Sequence, residues 1–200
     1  PSGASAGRNA SLGAIATMRN GDDYRNIVEG VDGRWQQGAH TMTAQWLHST
    51  TQDPGEGDSF DGDAYNFEYN YDSRNWTAYA GRNYLDDGFR ADLGFMGQVG
   101  YDKSVASGGY SWYRDGKSVN RINLSGDWDI THRFDGQLLE RELEFSLGFQ
   151  GPKQSQFGIN PLTRSRYWRG AMFNEHNVNL YGNFRPFADL QLGTYMNFGQ

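Results

Sequence analysis

The sequence predicts an all-β fold, built as an up-and-down meander of antiparallel strands. Apolar and polar residues alternate with a period of two along most of the chain, which is typical of strands with two chemically different faces. Glycine occurs 27 times and aromatic residues make up 15% of the chain, a composition that disfavours helical proteins and disorder. No apolar run approaches the roughly 18 residues of a membrane-spanning helix. The mean hydropathy of −0.79 fits a transmembrane β-barrel, because half of every strand then faces a polar lumen.

The N-terminal part of the chain begins with a loop of ten residues, followed by a first strand over 12–18. A hairpin with its turn at Gln37-Gly38 then joins strands over 27–36 and 41–50. One face of this hairpin places Val31, Gly33 and Trp35 with Met42, Ala44 and Trp46. The other face carries Asp32, Arg34, Thr43 and Gln45.

The middle of the chain has a less regular pattern. Residues 52–63 form a polar, acidic loop, and aromatic residues then alternate with polar ones, including Glu68, over 65–71. A tight turn at Ser73-Arg74 leads into a returning strand. Residues 84–97 are irregular, and two shorter strands are predicted over 98–105 and 109–114.

The clearest alternation lies between Arg121 and Gln150. It predicts a hairpin with Asp135-Gly136 as a two-residue turn, because this pair is favoured in such connections. One face pairs Ile122, Leu124, Gly126 and Trp128 with Phe149, Leu147, Phe145 and Leu143. The opposite face pairs Asn123, Ser125, Asp127 and Asp129 with Gly148, Ser146, Glu144 and Glu142. A slip of one residue would exchange the two faces, so the register is well specified.

The C-terminal part adds strands over 154–160 and 164–172 and a last hairpin over 177–184 and 189–198. A three-residue loop, 186–188, aligns Val178, Leu180, Gly182 and Phe184 with Met196, Thr194, Leu192 and Leu190. The opposite face carries Asn177 and Asn179, with Gln191 across from Asn183. The chain therefore contains about twelve strands of a larger barrel.

Alternation alone leaves open whether the apolar face meets lipid or a protein core, since a soluble β-sandwich has the same period. Three observations favour lipid. The strands are longer than the usual five or six residues, and aromatic residues crowd the strand ends, as in interfacial girdles. The polar face is rich in Asn, Gln, Ser and Gly with charges of both signs. The residues predicted to face the lumen are Asp32, Arg34, Glu68, Asp127, Asp129, Glu142, Glu144, Asn177, Asn179 and Gln191.

Two pairs of like charges oppose each other on this polar face. Asp129 lies opposite Glu142 and Asp127 opposite Glu144, an arrangement that is destabilising unless a cation intervenes. Arginines of the same wall could supply that charge, and the candidates are Arg34, Arg164 and Arg166. A solvated acidic ridge is the simpler interpretation, and a catalytic carboxylate pair, as in glycoside hydrolysis, is a third.

Composition excludes several other functions. The chain has no cysteine, so disulfides, cysteine-zinc sites and thiol nucleophiles are absent. Its net charge of −6, without a basic cluster, argues against a nucleic-acid partner. The acidic stretch 53–63 does not have the EF-hand spacing of a calcium loop, so we expect no metal and no cofactor. Aromatic side chains that could stack on sugar rings are Trp112, Tyr113, Trp168 and Tyr181.

The irregular stretch from Asp86 to Phe95 contains the letters F-R-A-D-L-G-F. It resembles the FRxDLGF signature of a family of uncharacterised bacterial proteins, which join a periplasmic module similar to family-nine carbohydrate-binding modules to a C-terminal outer-membrane β-barrel. Residues 71–80 and 135–143 are also similar to that family, and the resemblance covers roughly residues 25–200, although Met96-Gly97 replaces the family's Pro-Arg. It implies the fold and an outer-membrane location, and no reaction or ligand. The signature residues are Phe89, Arg90, Asp92, Gly94 and Phe95.

The residues of this stretch also have a local interpretation. Gly88 and Gly94 would allow positive φ angles, the apolar residues at 89, 93 and 95 would pack inward or against the rim, and Arg90 would pair with Asp87 or Asp92. This describes a structural loop, with a ligand-gating element as the alternative.

Together these observations predict an integral outer-membrane β-barrel that acts as a channel, an export conduit or an anchor, without catalysis. We expect residues 1–200 to form one barrel segment, with N- and C-terminal parts of the full protein lying outside it. Its partners would be outer-membrane lipid and a periplasmic domain or partner protein, with an unidentified small solute or glycan. The alternative is a soluble all-β carbohydrate-binding domain, and a glycosidase ranks third.

Overall fold

A computed structural model describes residues 9–55, 57–94, 96–116 and 118–200, with the backbone alone at 57 and 58. These residues form a single antiparallel sheet of eleven strands, in which neighbours in sequence are neighbours in space. The predicted all-β meander is confirmed, with eleven strands rather than about twelve. In the described ranges, no helix is long and apolar enough to cross a membrane.

The strands are 10 to 17 residues long, and most connections are short, except the stretch 86–100 between β5 and β6. Their bounds are β1 (Asn9–Asn20), β2 (Arg25–Gln37), β3 (His40–Asp53), β4 (Gly57–Asp72), β5 (Trp76–Leu85), β6 (Tyr101–Tyr113), β7 (Arg121–His132), β8 (Leu138–Gln150), β9 (Gln156–Trp168), β10 (Ala171–Phe187) and β11 (Leu190–Gly199).

Three sequence breaks that were predicted to interrupt strands do not do so. The acidic stretch 52–63 lies mostly in strands, because Phe60 pairs with Thr51 and Gly57 with Asp53 across a bulge. Strand β6 continues through the glycines at 108 and 109, and at Gly109 the side chains of Thr77 and Ser125 fill the space that a Cβ atom would take. Strand β9 continues through Pro161, which lies opposite Val178 in an unbroken ladder with β10. Pairing along the whole neighbouring strand outweighs these weak local signals.

The first predicted hairpin has the expected register. Strands β2 and β3 pair Val31 with Trp46, Gly33 with Ala44 and Trp35 with Met42. Its turn lies one residue later than predicted, at Gly38-Ala39, and Gly38 has a φ of 58°. Only glycine adopts this left-handed conformation without strain, so it marks the turn.

In the last hairpin the side chains lie on their predicted faces, but the predicted register of the two strands is wrong. The residue opposite Phe184 is Leu192, not Leu190, and Asn183 lies opposite Gly193, not Gln191. The reason is a bulge between Phe184 and Phe187, after which Phe187 pairs with Leu190 across a shorter turn than the predicted loop 186–188. A shift of two positions leaves each side chain on its predicted face.

The hairpin of β7 and β8 has a longer turn than predicted. The Gly136 amide donates to the Arg133 carbonyl oxygen at 3.0 Å and the Arg133 amide to Gln137 at 2.9 Å, so residues 134–136 form a three-residue loop. Gly136 has a φ of 85°, which is typical of a turn followed by a glycine bulge. A Cβ atom at Gly126 would meet the ring of Phe145, as the predicted register requires.

The chain divides into two compact units. The first comprises residues Pro1–Tyr71, Ala80–Ser104 and Thr131–Gln137, and the second comprises Asp72–Tyr79, Val105–Ile130 and Leu138–Gln200. Among the described residues the buried apolar side chains are Val28, Ala64 and Phe89, all in the first unit. These three pack with Leu47, Leu85, Ala91 and Met96.

Candidate functional site

The irregular stretch after β5 folds onto the polar face of strands β2, β3 and β4 in the first unit. We call residues 86–94 the inner segment. Phe89 at its centre is 4% exposed and packs against Val28 and Ala64 of the strands. The Asp86 amide donates to the Asp63 carbonyl oxygen at 2.9 Å, which fixes the start of the segment to β4. The segment thus buries apolar surface on a face that otherwise carries polar side chains.

Three polar side chains of the strands bind the backbone of the inner segment or support it. The Asn26 amide group donates to the Arg90 carbonyl oxygen at 2.9 Å and to Thr51 Oγ1 at 3.0 Å, and its Oδ1 accepts from the Asp92 amide at 3.3 Å. The Arg90 amide donates to Ser49 Oγ at 2.9 Å. Asn26 is 2% exposed, and Ser49 and Thr51 are fully buried. Buried polar groups need such partners, so the segment and the strands satisfy one another.

Two glycines let the backbones of strand and segment meet. A Cβ atom at Gly62 of β4 would clash with the backbone of Gly88 and Phe89, and one at Gly88 would clash with the Asp61 carbonyl oxygen. Neither Gly88 nor Gly94 has the positive φ angle that the sequence suggested. At Gly88, glycine is needed for close approach instead.

Charged groups surround the Asp92 carboxylate at the edge of this site. Arg90 Nε donates to it at 3.1 Å, Arg19 lies 3.2 Å from it and the Tyr24 hydroxyl donates to it. A second contact of the Arg90 guanidinium is with Asp53, at 3.5 Å. Burial raises the pKa of Asp92, but the hydrogen bonds from Tyr24 and Arg90 and the two positive charges outweigh it, so its pKa lies below the usual range. Burial, followed by the bond to Asp92, raises the pKa of Tyr24.

The remaining signature residues contribute less. The Gly94 amide donates to the Ala91 carbonyl oxygen at 3.0 Å, which closes a turn within the segment. Leu93 is 65% exposed. Phe95 lies outside the residues that the structure describes.

The predicted acidic cluster lies on the polar face of the second unit. Carboxylate oxygens of Asp127, Asp129 and Glu142 lie within 4.8 Å of one another. This is the spacing in which oxygen ligands hold a hard cation such as Ca²⁺. Among the described residues these three form the group that could hold a metal ion, whereas the sequence predicted no metal site.

Of the three arginines that the sequence proposed as partners of this cluster, Arg164 of β9 contacts one of its members. Arg164 lies 3.5 Å from Glu142 and 2.5 Å from Glu175 on the next strand. Arg166 lies 3.4 Å from Glu140. The third candidate, Arg34, hydrogen-bonds Gln36 on its own strand at 3.3 Å. Arg164 of β9 thus links acidic residues of the two flanking strands, β8 and β10, and partly neutralises them.

The other predicted lumen residues occupy the polar face in their own units. In the first unit, Asp32 lies opposite Gln45, and Thr43 lies between Arg34 and Glu68. In the second, Asn177 lies opposite Leu162 and Gly199, and Asn179 opposite Asn160 and Asn197. The Tyr195 hydroxyl donates to Asn179 at 2.7 Å. Gln191 lies at the bulge of the last hairpin and is exposed.

The four aromatic candidates for sugar binding fall into different settings. Trp112 and Tyr113 line an open groove of about 530 Å³, and the residues that complete it are Asn75, Tyr110, Arg114, Ile122, Leu124 and Leu147. Trp168 lies under the guanidinium groups of Arg166 and Arg169 at 5.9 and 5.7 Å. The Tyr181 ring lies across Gly158, where a Cβ atom would clash with it. An aromatic ring that covers a strand glycine shields the backbone, a structural role.

Several residues of the inner-segment site did not stand out in the sequence. Ser49 and Thr51 occupy alternate positions at the end of β3 and so share its polar face, but the partner of Ser49, Arg90, follows 41 residues later. Tyr24 lies in a connection between strands, where no periodicity indicates its direction. Comparison of the chain with protein-family models, curated proteins and solved structures finds no match. The resemblance of the inner segment to the FRxDLGF signature therefore stays a prediction.

Proposed function

We propose that this chain is part of an integral outer-membrane β-barrel that acts as a passive channel, export conduit or anchor. The observation that carries the proposal is an inverted distribution of exposure. In the second unit Leu124, Trp128 and Phe145 are 45%, 39% and 49% exposed, whereas Asp129 on the opposite face is 7% exposed. Exposed apolar area costs free energy in water, whereas the hydrocarbon of a bilayer favours it.

The first unit has the same distribution. Val31, Trp46 and Phe67 are exposed on the apolar face of β2, β3 and β4, while Asn26 and Ser49 are buried on the polar face. The strands have at least the roughly 9–11 residues that a tilted strand needs to cross hydrocarbon. The protein would thus turn its apolar face to lipid and its polar face to a lumen.

Aromatic clusters near the strand ends support the same orientation. In the first unit the ring of Tyr84 stacks on Tyr65 at 4.5 Å and contacts Phe134 at 4.8 Å. In the second, Tyr110 makes edge contacts with Trp76 and Trp112 at 4.5 and 4.7 Å. Aromatic girdles at both interfaces are typical of transmembrane barrels.

The proposal includes closure of the sheet. In hydrocarbon, no water is present to bind unpaired backbone groups, so β1 and β11 at the two ends of the strand order must find partners. In this function the chain performs no catalysis, and the width and charge of the lumen decide what passes.

Membrane partitioning tests the proposal. The protein would be expressed with a secretion signal in a Gram-negative host, and outer-membrane, inner-membrane and soluble fractions would be separated. We expect the chain in the outer membrane, resistant to carbonate extraction, released by detergent, and with a folded form that migrates differently from the boiled form on a gel. A periplasmic protein serves as the fractionation control. Recovery of folded protein in the soluble fraction without detergent would contradict the proposal.

The groove beside Trp112 favours a second candidate, a soluble carbohydrate-binding domain. Aromatic rings with nearby polar groups such as Asn75 and Arg114 suit a sugar ring. This function requires that the protein is monomeric in water and binds glycans, with binding reduced by Trp112→Ala and unchanged by Trp168→Ala. The fractionation experiment separates the two candidates.

A further inference from the structure

The inner segment is held as a fixed part of the polar face, in a manner that bears on transport. Its backbone is bound at successive positions: the Arg90 amide by Ser49, the Arg90 carbonyl by Asn26, and the Asp92 amide by the same asparagine. A mobile loop is usually solvated and makes few buried contacts, whereas here the binding side chains are almost fully buried.

Steric fit adds to these hydrogen bonds. Gly62 and Gly88 bring the backbones of β4 and the segment together without intervening side chains. Phe89 fills the space between Val28 and Ala64, which completes the buried apolar cluster of this unit. Displacement of the segment would leave this apolar surface and the polar groups of Asn26 and Ser49 without their contacts to the segment, which disfavours an undocked state.

The side of the segment that faces away from the strands carries both apolar and charged groups. Leu93 is 65% exposed, and the side chain of Arg90 is 35% exposed although it contacts two carboxylates. A solute moving along the polar face would meet these groups instead of the covered wall residues Asn26, Ser49 and Thr51.

From these contacts we infer that the inner segment, residues 86–94, is a permanent constriction of the lumen, which sets the size limit for solutes. The inference rests on the proposed barrel function and adds the part of the chain that determines selectivity. It assigns to Asn26, Ser49 and Gly62 the role of positioning residues, which act through the segment they hold.

Conductance of the purified, reconstituted protein tests the inference. The undocking variant carries Asn26→Ala and Ser49→Ala. The shortened variant has residues 87–93 replaced by Gly-Ser-Gly. The matched control carries Thr43→Ala and Gln45→Ala, which change the polar face of the same strand β3 between β2 and β4, away from the end of the strand where Ser49 binds the segment. Single-channel conductance is measured in planar bilayers, and liposome swelling is measured with sugars of increasing size.

We expect the undocking and shortened variants to conduct at least about twofold more than the wild type and to admit larger sugars, while the control is unchanged. Trypsin should cleave after Arg90 in the undocking variant and not in the wild type, which reports release of the segment. Unchanged conductance and an unchanged size limit in the undocking variant would overturn the inference. If the shortened variant does not insert into the membrane, the result for the undocking variant is sufficient to test the inference.

Failure of the inference and failure of the proposed function give different results. Wild-type protein that partitions into the outer membrane but forms no pore overturns the constriction and leaves an anchor function. Wild-type protein that stays soluble overturns the barrel itself.

Discussion

The side-chain amide of Asn26 donates a hydrogen bond to the carbonyl oxygen of Arg90 at 2.9 Å, although the two residues lie 64 positions apart. The same side chain accepts a bond from the amide of Asp92. Asparagine can donate and accept at once, so a single residue of β2 satisfies two backbone groups of the inner segment. A polar side chain on a strand thereby fixes the path of an irregular segment.

Replacement of this residue should therefore destabilise the folded protein. Asn26→Ala leaves buried groups of the segment and Thr51 without a partner, and we expect a loss of about 1–3 kcal/mol in the free energy of unfolding. Urea titration in lipid vesicles, followed by tryptophan fluorescence, measures it. Gln45→Ala, an exposed change on the polar face of β3, is the control and should alter stability by less than about 0.5 kcal/mol. Equal effects of the two changes would refute this role for Asn26.

The glycine at position 62 should tolerate no larger residue. Gly62→Ala places a methyl group against the backbone of Gly88 and Phe89, so the segment or β4 must shift, at an expected cost of about 1–3 kcal/mol. Gly97→Ala is the matched control, because a Cβ atom there meets no atom within 4 Å and the φ angle is not in the left-handed region. The same unfolding assay applies, and a neutral Gly62→Ala would show that the close approach is not required.

The fold could be predicted where two-residue alternation is uninterrupted. Trp35 lies opposite Met42 as expected, because a shift of this pairing by an odd number of residues would have turned the apolar side chains to the wrong face. The bulge after Phe184 could not be predicted, since a shift of two positions preserves both faces and only local turn geometry chooses between them. Alternation also placed Asp127, Asp129 and Glu142 together correctly.

The inner-segment site was the harder part to predict. The contacts of Arg90 with Asn26 and Ser49 join distant parts of the chain, and no spacing in the sequence indicates them. The glycine pair 62 and 88 likewise matters for a contact between two backbones, whereas the sequence suggested only turn conformations.

Acidification should weaken the docking of the inner segment. The pKa of Asp92 is lower in the folded state than in the unfolded chain, so its stabilising contribution is complete above the ordinary carboxyl value of about 3.9 and is lost as the pH falls through the lowered value. The difference in unfolding free energy between wild type and Asp92→Asn should be constant near neutral pH and shrink below about pH 4. Tyr24→Phe removes one hydrogen bond to the carboxylate and should move this loss to higher pH. A difference that grows on acidification would contradict the assignment.

Arg164 should stabilise the acidic cluster of the second unit. Its guanidinium contacts Glu142 and Glu175, and its removal leaves both carboxylates, of which Glu142 lies beside Asp129, with less positive charge nearby. We expect Arg164→Gln to cost about 1–2 kcal/mol, since the groups are partly exposed and solvent screens them. A double-mutant cycle with Glu175→Gln isolates the pair, and a coupling energy of zero would show that solvent screens it fully.

Charge placed on the two faces of β8 should have opposite consequences if the apolar face meets lipid. Phe145 lies near the middle of the strand with its side chain 49% exposed, and Ser146 is the next residue, on the polar face. Phe145→Arg would place a guanidinium in hydrocarbon, at an expected cost of about 2–4 kcal/mol in the free energy of unfolding from vesicles. Ser146→Arg adds the same charge on the lumen side, among acidic residues, and should cost little. In a soluble protein with an exposed apolar face the order would change, because arginine at position 145 would be solvated in water and would reduce the exposed apolar area. The sign of the difference between the two variants therefore reports which solvent the apolar face of this sheet contacts.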